Sequence, residues 1–185
     1  VYKRQIREQV VGPSLGRDSI RNGILAAIIS FGIIVFLTVF YYHGAGIVAD
    51  IALIFNLILV LAVMVFINAT LTLPGIAGMI LSVAMAIDAN VLIYERIREE
   101  LGLGKTIKAA VDTGYKRAFL AIFDSNVTTL IAAVFLYLFG SGPVRGFAVT
   151  LSIGILASLF TAIIVTKAIF DHFTLRVGIK KLYIG

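Results

Sequence analysis

Four long stretches of this sequence lack charge, and they limit the fold more than any other feature. Gly23 to Tyr42 has no charged residue, Ile51 to Ile87 has none over almost twice that length, Ala118 to Leu138 has only Asp124, and Gly146 to Thr166 has none. A helix needs about 20 apolar residues to cross the hydrocarbon layer of a bilayer. The second stretch is long enough for two crossings. The polar run Asn68-Ala-Thr-Leu-Thr-Leu-Pro74 divides it, and Pro74 opens the later helix where a missing N–H costs nothing. The expectation is an all-α, multi-span transmembrane bundle of five helices with no soluble domain of its own. The helices are placed at about 22–42, 48–67, 74–96, 117–139 and 144–170.

Composition agrees with a lipid solvent. Of 185 residues, 60% are hydrophobic and 14% charged, with a mean hydropathy of +1.04, whereas a soluble domain is apolar over about half its residues. The net charge of +6 is read as a topology signal rather than a nucleic-acid footprint, because Lys and Arg cluster between and after the apolar runs. No nucleic-acid partner is expected. The sequence has no cysteine and no tryptophan, which excludes disulfides, thiolate metal sites and cysteine nucleophiles. The chain opens at Val1 without a signal-peptide pattern and reads as part of a longer protein.

Five spans place the two termini on opposite sides. One side collects ten Lys and Arg, from Arg96 to Arg117 and from Lys167 to Lys181; the other has six, from Lys3 to Arg21 plus Arg145. This excess favours a cytoplasmic C-terminus. Residues 1–21 are then a pre-helix segment, 22–170 the bundle, 97–116 a cytoplasmic connection and 171–185 a cytoplasmic tail. Glu95, Arg96 and Arg117 mark the cytoplasmic boundary. Opposite-charge pairs among Glu95, Arg96, Arg98, Glu99 and Glu100 extend the third helix into water until Gly102 and Gly104 end it. Lys105 to Lys116 has Ile107, Ala110, Val111 and Gly114 or Tyr115 along one side. It reads either as a short amphipathic helix on the membrane surface or as a solvated hairpin.

Two acids lie inside apolar spans, Asp88 and Asp124. An ionised Asp at the centre of a membrane helix costs about 2.5–3.5 kcal/mol, so such a residue normally faces inward and serves a purpose. Asp88 lies seven residues before Glu95 and Asp124 seven after Arg117. At ~1.5 Å per residue both are about 10 Å inside the same boundary. With Asn90, Ser125, Asn126, Thr128 and Thr129 they are expected to form one polar layer able to hold a proton. The plainer reading is that these groups only hydrogen-bond helices together. Gly78, Ser82, Ala86 and Asn90 recur every four positions as a stripe for close helix contact, with Asp88 about 200° away on the same helix. Asp88 on one side and the stripe on the other suggest that both faces lie inside protein. His43 and His172 have no second ligand at useful spacing, and no serine has a membrane-embedded histidine to activate it. Neither a metal, a cofactor nor an enzymatic reaction is expected.

Several longer motifs occur in order: Gly12-Pro-Ser-Leu-Gly16, Leu73-Pro-Gly-Ile-Ala-Gly78, Ile87-Asp-Ala-Asn-Val-Leu-Ile-Tyr-Glu-Arg-Ile-Arg-Glu-Glu-Leu101, Phe123-Asp-Ser-Asn-Val-Thr-Thr-Leu130 and Gly142-Pro-Val-Arg-Gly-Phe-Ala148. Through nearly the whole chain this pattern resembles the SecD side of the SecD/SecF family of bacterial protein-export subunits. That family is similar to the resistance-nodulation-division transporters, whose two six-helix halves are related by a pseudo-twofold axis. The resemblance implies helices two to six of one half, in the bacterial plasma (inner) membrane. Val1 to Val11 would be the extended end of an extracytoplasmic domain that is missing here, together with the first helix. Proton flow would move that domain and pull an exported, unfolded polypeptide forward after the SecA ATPase and the SecYEG channel have threaded it. SecF, in trans or fused, and membrane lipid are the other partners implied. Asp88 matches the family's essential membrane acid on the fourth helix, and its charged counterparts belong to SecF. Two alternatives stay open: a proton-coupled small-molecule efflux transporter of the same superfamily, and a scaffold without ion coupling. Whether the ion is H⁺ or Na⁺ also stays open.

Overall fold

The structure, a computed structural model, describes residues 13–173. The elements are α1 (Pro13–Tyr42), α2 (Gly44–Phe66), α3 (Leu73–Gly102), α4 (Ile107–Phe139), α5 (Gly142–Phe160), a π-helical turn (Thr161–Val165) and α6 (Thr166–His172), with no strand among the described residues. They supply five membrane-length apolar helices, the last running from Gly142 through the π turn to His172. The expected five-span all-α bundle is therefore the architecture observed. The extended segment expected at Val1 to Val11 and all but the first residues of the 171–185 tail lie outside the described residues.

The helices outrun their apolar stretches. Helix α1 begins at Pro13 rather than near 22, and α4 at Ile107 rather than 117. Hydropathy marks where a helix lies in oil, whereas main-chain hydrogen bonding continues into water wherever a start signal permits. Proline suits a first turn, and Thr72 and Thr106 cap α3 and α4 by accepting the N–H of Gly75 at 3.2 Å and of Ala109 at 3.4 Å.

This continuity removes the separate surface helix expected at Lys105 to Lys116. The segment is the first three turns of α4, and Ala110, Val111, Gly114 and Tyr115 are buried within the protein instead of resting on lipid. A buried stripe runs up α4 through Ala110, Gly114, Ala118, Ile122 and Asn126. It sits so close to α3 that a β-carbon on Gly114 would stand 2.9 Å from the Ile97 nitrogen and 3.1 Å from its Cα.

Helix α3 is the hub, packed chiefly against α5 and α4. Its small-residue stripe does what its spacing predicts: Gly78, Ser82, Ala86 and Asn90 are all buried. Gly78 abuts Phe147 and Thr150, and Ser82 abuts Gly154, so the stripe's partner is α5. By contrast α1 is peripheral, with 6% of its apolar window buried against 50% for the fifth span. It joins α2 through His43 alone, which takes a φ of 50°. The hairpin is so tight that a β-carbon on Gly46 would meet the Thr38 carbonyl and stand 2.8 Å from the Val39 Cα.

Candidate functional site: a divided polar layer

Helices α3 and α4 each carry the pattern Asp-x-Asn, as Asp88-Ala-Asn90 and Asp124-Ser-Asn126. Two helical residues are separated by about 200°, so each helix must send its acid and its amide in opposite directions. The structure divides the layer accordingly. Asn90 and Asn126 are buried, at 2% and 4% exposure, whereas Asp88 and Asp124 are exposed on the surface of the chain. Ser125 and Thr128 are exposed as well, and Thr129 is partly buried.

The single layer expected from sequence is thus corrected to an inner pair of amides and an outer pair of acids. The α4 stripe that packs on α3 passes through Asn126, which turns Asp124 away from it. On α3, Asp88 continues an exposed line through Ala77, Leu81 and Ala84, opposite the buried stripe. Only one side of this helix at Asp88 is therefore covered by the chain's own helices. The α4 hydroxyls do not serve the acids. Thr128 and Thr129 each donate to a main-chain carbonyl four residues earlier, those of Asp124 and Ser125, at 2.9 Å. Ser125 Oγ donates to Ile122 O at 3.1 Å and Asn126 Nδ2 to the same oxygen at 2.7 Å.

The charged residues around the α3–α4 turn are paired. Glu95 accepts the Tyr42 hydroxyl at 3.1 Å and faces Arg98 at 3.7 Å, and Arg96 meets Glu99 at 2.7 Å. Arg117 reaches 2.6 Å to Glu100, which also receives Lys105 at 2.5 Å. Glu100 is wholly buried, although the sequence shows it only as one of several charges at a helix end. Its signal is positional: it is the acid that the turn at residues 103–106 brings beneath two cations from α4 and its approach. Glu100→Gln removes the buried acceptor's charge, and with it two charge-assisted bonds that tie the turn and α4 to α3, while both cations keep part of their solvent. We expect a lowered melting temperature and faster proteolysis at this turn in the full-length protein. Glu99→Gln, which removes a solvated pair worth about 0.5 kcal/mol or less, should leave both unchanged.

Other buried polar groups line the side of the bundle between α2, α4 and the fifth span. Asn56 Nδ2 donates to Thr161 Oγ1 at 3.4 Å, and the Tyr115 hydroxyl is 2.6 Å from Thr166 Oγ1. Thr161 opens the π turn and Thr166 follows it; such turns widen a helix locally and recur at functional sites. Sequence reading also passed over Asp50, the residue immediately before the second uncharged stretch, which is buried on α2. Among the described residues no group of three His, Cys, Asp or Glu is placed to hold a metal.

Residues 2–176 match the family described as protein export membrane protein SecD/SecF, C-terminal. The chain belongs to the SecD/SecF family. A SecD protein translocase subunit of Syntrophobacter fumaroxidans is 58% identical over 180 residues, covering 97% of this chain and 34% of the relative. One from Endomicrobium trichonymphae is 57% identical over 169 residues, covering 91% and 35%. The crystal structure of SecDF, a translocon-associated membrane protein from Thermus thermophilus, superposes with a TM-score of 0.88 at 42% identity, over 91% of this chain and 24% of that one. The chain therefore spans about a third of the length of the curated SecD relatives it matches. It is a multi-pass membrane segment of a SecD/SecF protein, with the helical fold of the SecDF membrane region.

Proposed function

We propose that this chain is the membrane part of a protein-export subunit of the SecD type, which uses proton or sodium flow past Asp88 to drive late steps of polypeptide translocation. What supports the reading is an acid exposed from its own chain at a depth where hydrocarbon would otherwise surround it, in a member of this family. Such a charge is costly against lipid and needs a covering protein surface. In this proposal the second half of the membrane unit, contributed by SecF in trans or fused, lies over the Asp88 face. SecYEG, SecA and the exported polypeptide are the further partners, the last through extracytoplasmic parts of the full-length protein. Asp124, also exposed, supports the same path from α4. Glu95, Arg96 and Arg117 lie at the cytoplasmic boundary of the inner membrane in this arrangement, with the C-terminus cytoplasmic.

The energetics suit a motor. A membrane potential provides about 2.3 kcal/mol per charge per 100 mV, so one or two ions bias states a few kcal/mol apart. The test is export by the full-length protein with its partner subunits in sealed vesicles. Imposing a proton gradient or a sodium gradient separately should accelerate the late, ATP-independent phase for one ion only. An export rate indifferent to both gradients would leave the scaffold reading in its place.

A further inference from the structure

Asp50 presents a different problem from Asp88. It sits on α2 within a membrane-spanning helix, yet it is 7% exposed and its Oδ1 has no hydrogen-bond partner. None of the ion pairs among the described residues includes it. Its helix neighbours Val48, Ala49 and Leu53 are buried and apolar.

The ionisable groups around it do not neutralise it. From α1 comes Tyr42, bonded to Glu95; from α3 comes Tyr94, fully buried with its own hydroxyl unpartnered, its ring 5.5 Å from that of Tyr42. Tyr115 on α4 is engaged with Thr166. On α6, Lys167 is paired with Asp112, and Asp171 acts on Tyr115. The π turn presents Thr161, and α5 has no titratable group facing this region in its buried set. A carboxylate with one oxygen fully buried and no cation beside it is costly to keep charged, which favours a proton or a cation as its companion. A proton satisfies a lone carboxyl by itself, whereas a sodium ion needs a shell of oxygens that Val48, Ala49 and Leu53 do not supply.

Depth gives the site a meaning. Asp50 lies seven residues beyond His43, about 10 Å into the bundle at ~1.5 Å per residue. The Tyr42–Glu95 bond sets the His43 turn level with Glu95, and Asp88 lies the same seven residues inside Glu95. The two acids therefore share a layer, Asp88 on the outer surface and Asp50 within.

We propose that Asp50 is a proton-binding site enclosed by this chain's own helices, separate from the outward-facing Asp88. Proton binding here stands on burial and isolation alone; only its use in export rests on the proposed ion drive.

The test is infrared difference spectroscopy across pH steps at constant sodium, on the full-length protein with its partner subunit in liposomes. The Asp88→Asn variant should keep a titrating protonated-carboxyl band that disappears in Asp88→Asn/Asp50→Asn. Asp50→Glu should shift that band and its midpoint, which keeps the assignment testable if Asp50→Asn fails to assemble. Identical spectra for Asp88→Asn and the double variant, or an unmoved band in Asp50→Glu, would overturn the proposal. So would loss of the band on adding sodium at fixed pH, which would mark a sodium site. Normal gradient-driven export by Asp88→Asn with the Asp50 band intact would defeat the drive through Asp88 and leave the Asp50 site standing.

Discussion

Replacing Asp88 by Asn in the full-length protein should abolish gradient-driven export while leaving membrane insertion and assembly intact. Asparagine has the same shape and keeps a polar group at the exposed position on α3, so neither the stripe packed on α5 nor the α4 contact changes. What disappears is the exchangeable charge. In the proposed complex the partner half, not hydrocarbon, covers this face, and the isosteric amide keeps a polar group there, so the neutral variant should still assemble. The measurement pairs export rate, with and without an imposed gradient, with the melting temperature of the purified complex. Full gradient-dependent export by a stable, assembled Asp88→Asn protein would remove Asp88 from the mechanism. A loss of both export and assembly would mean instead that the acid is structural. Asp88→Glu separates these cases further, because it retains an ionisable group and should retain part of the export.

A large and reversible effect on stability is expected where α3 and α5 touch. A β-carbon on Gly154 would overlap Cβ and Oγ of Ser82, whereas the Ser82 Cα lies 3.7 Å away, an ordinary contact. Gly154→Ala should therefore cost about 1–3 kcal/mol through overpacking. Because the clash is with the side chain alone, Ser82→Gly in the same protein should recover most of that loss. The swap moves the small residue from one helix to the other. Thermal unfolding of the two single variants and the double variant in detergent closes the cycle. Additive losses would show that the helices are not held together at this point. Since α3 also carries Asp88, the Gly154→Ala variant should weaken gradient-driven export as well, and the swap should restore it.

How much of this was legible in advance depends on whether the signal is local. Charge-free length marked the spans, because a bilayer tolerates few other sequences there, and the four-residue spacing of Gly78, Ser82, Ala86 and Asn90 marked a packing face, because helical periodicity is a local property. The same periodicity already held the answer for the polar residues. Asp88 and Asn90, like Asp124 and Asn126, are two positions apart and so diverge, yet their shared depth suggested one layer. Depth along a helix is readable from sequence, but which neighbour covers each side is not. The Lys105 to Lys116 segment, which opens α4, went astray for a related reason: an apolar side on a charged helix suits a membrane surface and a neighbouring helix equally well, and α3 supplied the neighbour.

Asp50 and Glu100 show the limit most plainly. In the sequence each is a charge at the edge of an apolar stretch, indistinguishable from Glu95 or Glu99. Burial depends on helices far along the chain: α4 and the turn before it close over Glu100, and the packing of Tyr42, Tyr94 and their neighbours encloses the region around Asp50. The sequence by itself determined that this chain belongs in a bilayer, where its five apolar spans lie, and which family it resembles, since hydrophobic length and ordered motifs are properties of the chain alone. Only the tertiary structure decided which acids face outward and which are sealed inside, because a side chain's solvent is chosen by the surfaces that pack against it.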